Sequence, residues 1–305
     1  MNSTTPATEI ADSRYAGLDT WPDDTILATL LDGQKRALGS VGAAIPALAA
    51  AARLAAEKLA AGGRLAYLGA GSPALIALGD ALEIPQTYGV PRDRIVLILA
   101  GGEAITRDLT GADEDDAELA RRDVAAAAIG PADCLVAVSA SGSTPYTVAG
   151  LAAARAAGAA TVGIAGNSGA PLLTAAEIAV LLDTGPEVIS GSTRMGAGTA
   201  QKAALNMLST LLGVRLGHVY DGLMVNVNAD NAKLRGRAAR IVMKIAGVEQ
   251  SRAHAALNQS DGAVKPAVLI AAGASPAEAG TLLGRTKGNL RAALALMGAA
   301  APAAR

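Results

Sequence analysis

The sequence predicts an α/β fold: three layers with a parallel sheet flanked by helices, followed by a small C-terminal helical module. Three observations predict it. Short apolar runs at 64–69, 95–100, 134–139, 161–165 and 178–182 have the length of buried strands. Ala- and Leu-rich stretches of helical character separate most of them, the alternation that covers a parallel sheet on both faces. Turn residues follow the C-terminal end of every run, where an open α/β sheet binds its ligands.

Taken in order, residues 1–23 are polar and Thr/Asp-rich and read as an N-terminal arm. Residues 24–60 read as two helices joined near Gly39, the second Ala-rich and ended by Gly62-Gly63. Beyond Ser190 the chain reads as long helices over 193–214 and 226–246. On the second, Lys233, Arg237, Arg240 and Lys244 share one face, and Ala238, Ile241, Val242 and Ile245 another. The basic face reads as a solvated surface, with a phosphate or partner contact as the alternative. Residues 249–297 suggest three or four short helices broken at Gly262, Gly273-Ala274-Ser275-Pro276 and Gly288. The domain expectation is therefore an arm (1–23), an α/β domain (24–247) and a small helical, UBA-like module (248–305).

Composition excludes several classes. The 305 residues carry a formal net charge of −1, so no global field attracts nucleic acid or an anionic membrane. One Trp, five Tyr and no Phe leave no stacking platform for single strands. The lone Cys134 permits no internal disulfide framework. Two histidines, His218 and His254, supply neither a His/Cys zinc set nor a supported Ser-His-Asp triad. The first thirteen residues contain no Lys or Arg and no apolar core, and no uninterrupted apolar run reaches about 18 residues. The expectation is a cytoplasmic protein with no metal, no nucleic-acid partner and no membrane partner.

The loop from Ser139 to Tyr146 places Ser139, Ser141, Gly142, Ser143 and Thr144 between a strand and a helix, with Pro145 in its first turn. Free backbone N–H groups, the helix dipole and hydroxyls favour an anion, commonly phosphate. The same residue types also serve plain helix capping, and the loop alone leaves both readings open. Gly69-Ala70-Gly71 is a weak dinucleotide signal, because Pro91 stands where the ribose-binding acid is expected. Glu83, before Pro85, and Glu114, in an acidic run, each read as structural when taken alone.

The run Gly185-Pro186-Glu187-Val188-Ile189-Ser190-Gly191-Ser192-Thr193-Arg194-Met195 is long and specific, and continues through Ala197-Gly198-Thr199-Ala200-Gln201-Lys202 and Leu205-Asn206-Met207-Leu208. It closely resembles the signature of the N-acetylmuramic acid 6-phosphate etherases, proteins of the sugar isomerase (SIS) fold. Thr8-Glu9, Leu18-Asp19, Glu83 with Pro85 and Thr87, Ala100-Gly101-Gly102, Glu114-Asp115, Thr144-Pro145-Tyr146 and Asn231-Ala232-Lys233-Leu234 fit the same family. The resemblance implies a lyase without cofactor, acting on a small-molecule phosphosugar as a homodimer whose two subunits complete each site. It implies Glu114 as the base at C2 and Glu83 as the acid for lactate departure and then the base for water. It implies substrate contacts at Gly71, Ser72, Glu187, Ser192 and Thr193 beside the third loop.

Three cationic positions of the family are neutral here. The first loop reads Gly71-Ser72-Pro73-Ala74-Leu75, with Leu75 in place of an arginine; Ser143 replaces a second arginine and Gly196 a lysine. Each lost charge-assisted hydrogen bond is worth roughly 1.5–3 kcal/mol. Arg194 is retained, and Arg64 or Arg107 could compensate. A non-catalytic phosphosugar sensor and an aldose–ketose isomerase are the alternative functions this fold allows.

Overall fold

The computed structural model describes residues 6–109 and 111–298. The outer part of the expected arm (1–5) and of the expected module (299–305) lie outside the described residues. Contacts divide the chain into two units: Met1–Ala81 with Asp93–Leu211, and Leu82–Arg92 with Leu212–Arg305.

The first unit is built on five parallel strands: β1 (Leu65–Gly69), β2 (Ile95–Leu99), β3 (Cys134–Val138), β4 (Ala160–Ala165) and β5 (Ile178–Leu181). Their order is β2-β1-β3-β4-β5, with Leu65 opposite both Ile95 and Cys134. β1, β3 and β4 are buried along their whole length, which is why they read as continuous apolar runs rather than alternating ones. On one face, Ala66, Leu68, Leu135 and Ala137 pack with the helices α4 (Ala117–Ala126), α5 (Pro145–Ala156) and α6 (Pro171–Ala175). On the other, the Tyr67 hydroxyl donates to Asp80 Oδ2 at 2.7 Å. Asp80 sits on α2 (Gly71–Tyr88), and its Oδ1 accepts from Asn206 (2.7 Å) and Ser209 (3.0 Å) of α7 (Gly196–Arg215). A short helix, α3 (Gly111–Asp115), precedes α4.

The two helices expected over 24–60 are one. α1 runs unbroken for 38 residues, Asp23–Ala60, through Gly39, Gly42 and Pro46. Its buried residues Ala37, Val41, Ala44, Leu48, Ala51, Ala55 recur every three or four positions, the spacing of one helical face, and the helix packs on β1, β3, β4 and β5. Pro46 removes the N–H that would bond the Gly42 carbonyl. Both residues are on the exposed side, so that carbonyl is not buried without a partner, and the apolar face holds the helix together. By length and composition α1 could also cross a membrane. Within the described part of the arm, Thr8 is fully buried, the Ala7 N–H donates to Asn167 Oδ1 (2.9 Å), and the Gly191 N–H donates to the Thr8 carbonyl (2.9 Å).

The second unit holds a hairpin, β6 (Val219–Tyr220) with β7 (Leu223–Met224), then α8 (Ala232–Ala246), α9 (Gln250–Asn258), α10 (Val264–Ala271), α11 (Pro276–Arg285) and α12 (Leu290–Leu296). The breaks fall at Gly262, Gly273 and Gly288, all at positive φ. Ser275 and Glu278 form a reciprocal capping box on α11, and Asn231 caps α8 through the Leu234 N–H (3.0 Å). On α8, Leu234, Ala238, Ile241, Val242 and Ile245 are buried, while Lys233, Arg240 and Lys244 are exposed, so the basic stripe is the solvent face.

Candidate active site

Strand order reverses between β1 and β3, since β2 lies on the far edge of β1. In an open parallel sheet, ligands bind in the crevice beyond the carboxyl ends of the strands at such a point. The two loops there are Ala70–Ser72, after β1, and Ser139–Thr144, after β3.

Gly71 opens α2 at φ +59°, a left-handed conformation that suits glycine. It also leaves room for a carboxylate. A Cβ on Gly71 would stand 2.7 Å from Oε1 and 3.1 Å from Oε2 of Glu114. Glu114 thus folds back from α3 onto the first residue of α2. It is half-buried, and its pKa is raised above the usual carboxylate value, first by burial and second by the charge of Asp115. Ser72 is half-buried beside Gly71. Pro73 is tolerated in the first helical turn because its missing N–H has no intrahelical acceptor there.

The third loop forms a cluster of hydroxyls. Ser139 Oγ and Thr144 Oγ1 are 3.0 Å apart, the Gly142 N–H donates to Ser139 Oγ (3.0 Å), and both the N–H and the hydroxyl of Ser143 donate to Ser141 Oγ (3.2 and 3.1 Å). Gly142, at φ +76°, is wedged where a Cβ would come within 2.5 Å of the Ala170 Cβ. Thr144 is the N-cap of α5, yet its side chain makes no capping bond. Its hydroxyl turns to Ser139 instead, which leaves the first-turn N–H groups of α5 available to an anion.

Glu187 has a different engagement. It is buried, and its two oxygens accept from the N–H groups of Gly196 and Ala197, at 2.8 Å each. It caps α7. A Cβ on Gly196 would stand 2.9 Å from Glu187 Oε2, so the neutral position 196 adjoins this cap. Ser192 and Thr193 are half-buried in the turn that leads into α7, where the Thr193 carbonyl accepts from the Gly198 N–H (2.9 Å). Arg194 is exposed beside them. Glu83 is exposed on α2, twelve residues beyond Gly71, within the second unit.

Arg64 does not replace the missing cations. It precedes β1, at the opposite end of the sheet from the loops, and is held by Asp133: Nη2–Oδ2 2.7 Å, Nε–Oδ1 3.1 Å. Arg107 lies on the correct side, after β2, where it lines a cavity of about 710 Å³ with Glu103, Leu97 and Leu99. Among the described residues no group of three or more His, Cys, Asp or Glu side chains could hold a metal ion. Sequence reasoning missed the Tyr67–Asp80–Asn206–Ser209 network and the capping role of Glu187. Asn206 stands inside the Leu205–Leu208 run and Asp80 three residues before Glu83, but only tertiary structure joins them.

The fold and the two loops at the strand reversal define a SIS-type α/β protein, and the SIS domain family model matches residues 37–166. The chain is 48% identical over 263 residues to an N-acetylmuramic acid 6-phosphate etherase of Deinococcus radiodurans, covering 86% of each chain. It is 47% identical over 226 residues to the etherase of Symbiobacterium thermophilum, covering 74% of this chain and 75% of that one. It is 42% identical over 271 residues to that of Serratia proteamaculans, covering 88% and 91%. The chain belongs to the N-acetylmuramic acid 6-phosphate etherase family.

Proposed function

We propose that the protein is a carbon–oxygen lyase that cleaves the D-lactyl ether of N-acetylmuramic acid 6-phosphate, giving N-acetylglucosamine 6-phosphate and D-lactate. The observation that carries the reading is Glu114: a partly desolvated carboxylate with a raised pKa, set against the start of α2 at the strand reversal. In the open-chain sugar the C2 proton is acidified by the neighbouring aldehyde. Glu114 removes it, the C3–O bond breaks, and the ether oxygen leaves with a proton from Glu83. Water then adds across the C2–C3 double bond, Glu83 taking its proton and Glu114 returning one to C2. Positioned acid–base groups of this kind contribute about 10²–10⁴-fold each.

The phosphate is assigned to the third loop. With Leu75, Ser143 and Gly196 neutral, its recognition rests on the hydroxyls of Ser139, Ser141, Ser143 and Thr144 and on the uncapped N-terminus of α5. Glu187 acts there as a cap that fixes the start of α7, and Ser192 and Thr193 line the turn it holds.

We infer a homodimer with shared sites. The family resemblance, in which loops of both subunits complete each site, assigns the Glu83 that serves one Glu114 to the partner subunit. The apolar surface of α1 supports association: Leu27, Leu31, Leu38 and Ile45 are 66%, 54%, 47% and 51% exposed, and fall within about 40° of one another around the helix. Amino-sugar catabolism in the cytoplasm is the setting this chemistry fits.

The test is lactate release from N-acetylmuramic acid 6-phosphate in D₂O, with Glu83→Gln and Glu114→Gln beside wild type. Lactate release with deuterium at C2, abolished by Glu114→Gln, is the expected result. Folded protein that binds the substrate yet releases no lactate and exchanges no C2 proton overturns the reading.

A further inference from the structure

The second unit contains a feature that the etherase reading does not use. A cavity of about 430 Å³ opens at the start of α10, lined among others by Asn228, Val264, Lys265, Pro266, Leu283 and Gly288. Lys265 is only 7% exposed, and its Nζ lies 3.6 Å from the point where a Cβ on Gly288 would stand. No described residue gives this ammonium a hydrogen bond or ion pair. Asp261 borders the same cavity without pairing to it. Burial lowers the Lys265 pKa to about 8, so at neutral pH this ammonium is charged and has no carboxylate of the described residues within ion-pair distance.

The backbone points the same way. α10 has Ala263 at its N-cap and no side-chain cap, so the N–H groups of Val264 and Lys265 remain for an external acceptor, Pro266 having none. Lys265 is the second residue of this helix, where the dipole disfavours a cation. His218 adds no charge: burial first, and Lys265 second, lower its pKa to about 4. A buried cation beside an uncapped helix start is the complement of an anion. The remaining walls decide which kind. Val264, Pro266 and Leu283 are apolar and suit an alkyl stem, and a cavity lined by one cation, with the Asp261 carboxylate also on its wall, takes a single negative charge better than a phosphate dianion.

We propose that this cavity binds a small alkyl carboxylate, its oxygens paired with Lys265 Nζ and the free N–H groups at the start of α10. The proposal stands independently of the etherase reading. The test uses the full chain at pH 7 and constant ionic strength, titrated with propionate, D-lactate, inorganic phosphate or chloride while thermal unfolding is followed. The carboxylates should raise Tm saturably in wild type and not in Lys265→Met, while phosphate does no more than chloride. Lys265→Met without ligand should be at least as stable as wild type, because it removes the unpaired charge. The same carboxylate response in both proteins, no response in wild type, or a Lys265-dependent response to phosphate alone overturns the proposal. Should Lys265→Met fail to fold, Lys265→Arg keeps the charge but displaces it. At least tenfold weaker propionate binding is then expected, and unchanged binding overturns the assignment.

Discussion

Glu114 titrates above the ordinary carboxylate value for two reasons, burial and then the charge of Asp115, and only the second is removed by one substitution. The proposed role as base requires it ionised, so kcat/KM should fall as pH drops through its pKa. Asp115→Asn should move that acid limb to lower pH without returning it to the ordinary position, since burial persists; a limb that stays in place removes Asp115 from the site. The sign for stability follows from linkage. A carboxyl whose folded pKa is raised binds more protons folded than unfolded, so its contribution falls as pH rises between the two values. Gly71 gives the second residue-scale prediction. Gly71→Ala puts a Cβ in a left-handed conformation and within 2.7 Å of Glu114 Oε1, costing about 1 kcal/mol in backbone strain. Displacing the carboxylate by an ångström should cost about 10²-fold in kcat. Activity assays beside urea unfolding check this, and an equal loss of stability and turnover would assign Gly71 to folding alone. None of this was legible from Glu114 by itself, which reads as an acid at a helix start; only the family's motif spacing raised it above that.

Among elements, the strands were legible to within a residue or two: burial on both faces makes β1, β3 and β4 unbroken apolar runs, and β2 and β5, though partly exposed, are apolar along their length. The short helices of the tail, expected as three or four, are four, and the breaks between them were legible from Gly262, Gly273 and Gly288. α1 was not read as one helix: Gly39 suggests a break, but nothing lies within 4 Å of where its Cβ would be, and burial of the Ala37-to-Ala56 face on the sheet outweighs about 1 kcal/mol of glycine propensity. The start of α7 was illegible for another reason. Its cap comes from Glu187, nine residues before Gly196, where no local capping pattern reaches. Glu187→Ala leaves two N–H groups without their acceptor and should cost about 1–3 kcal/mol, read as a lower urea midpoint at unchanged m-value. Loss of activity with no change in midpoint would instead make Glu187 a direct ligand of substrate.

For the whole molecule, the proposed sharing of sites between two subunits can be tested through assembly. If each site pairs Glu114 of one subunit with the partner subunit's Glu83, neither Glu83→Gln nor Glu114→Gln homodimers hold an intact site. A mixed dimer holds one, because one subunit keeps Glu114 and the other keeps Glu83. Two-fold symmetry makes the arithmetic simple. Random assembly of the two variants gives half mixed dimers, each with one working site of two, so roughly a quarter of wild-type activity should return. Co-expression with two different tags, followed by sequential purification, isolates the mixed species, which should approach about half of wild-type turnover. If both glutamates of a site came from one chain, no combination would restore it, and the mixture would stay as inactive as its parents. A companion change on α1 tests the contact itself. Leu31→Glu with Leu38→Glu places charges in the exposed stripe, and should shift the protein from dimer to monomer in sedimentation while removing activity together with the dimer. A monomer that retains full turnover would contradict shared sites even if the stripe is the contact surface.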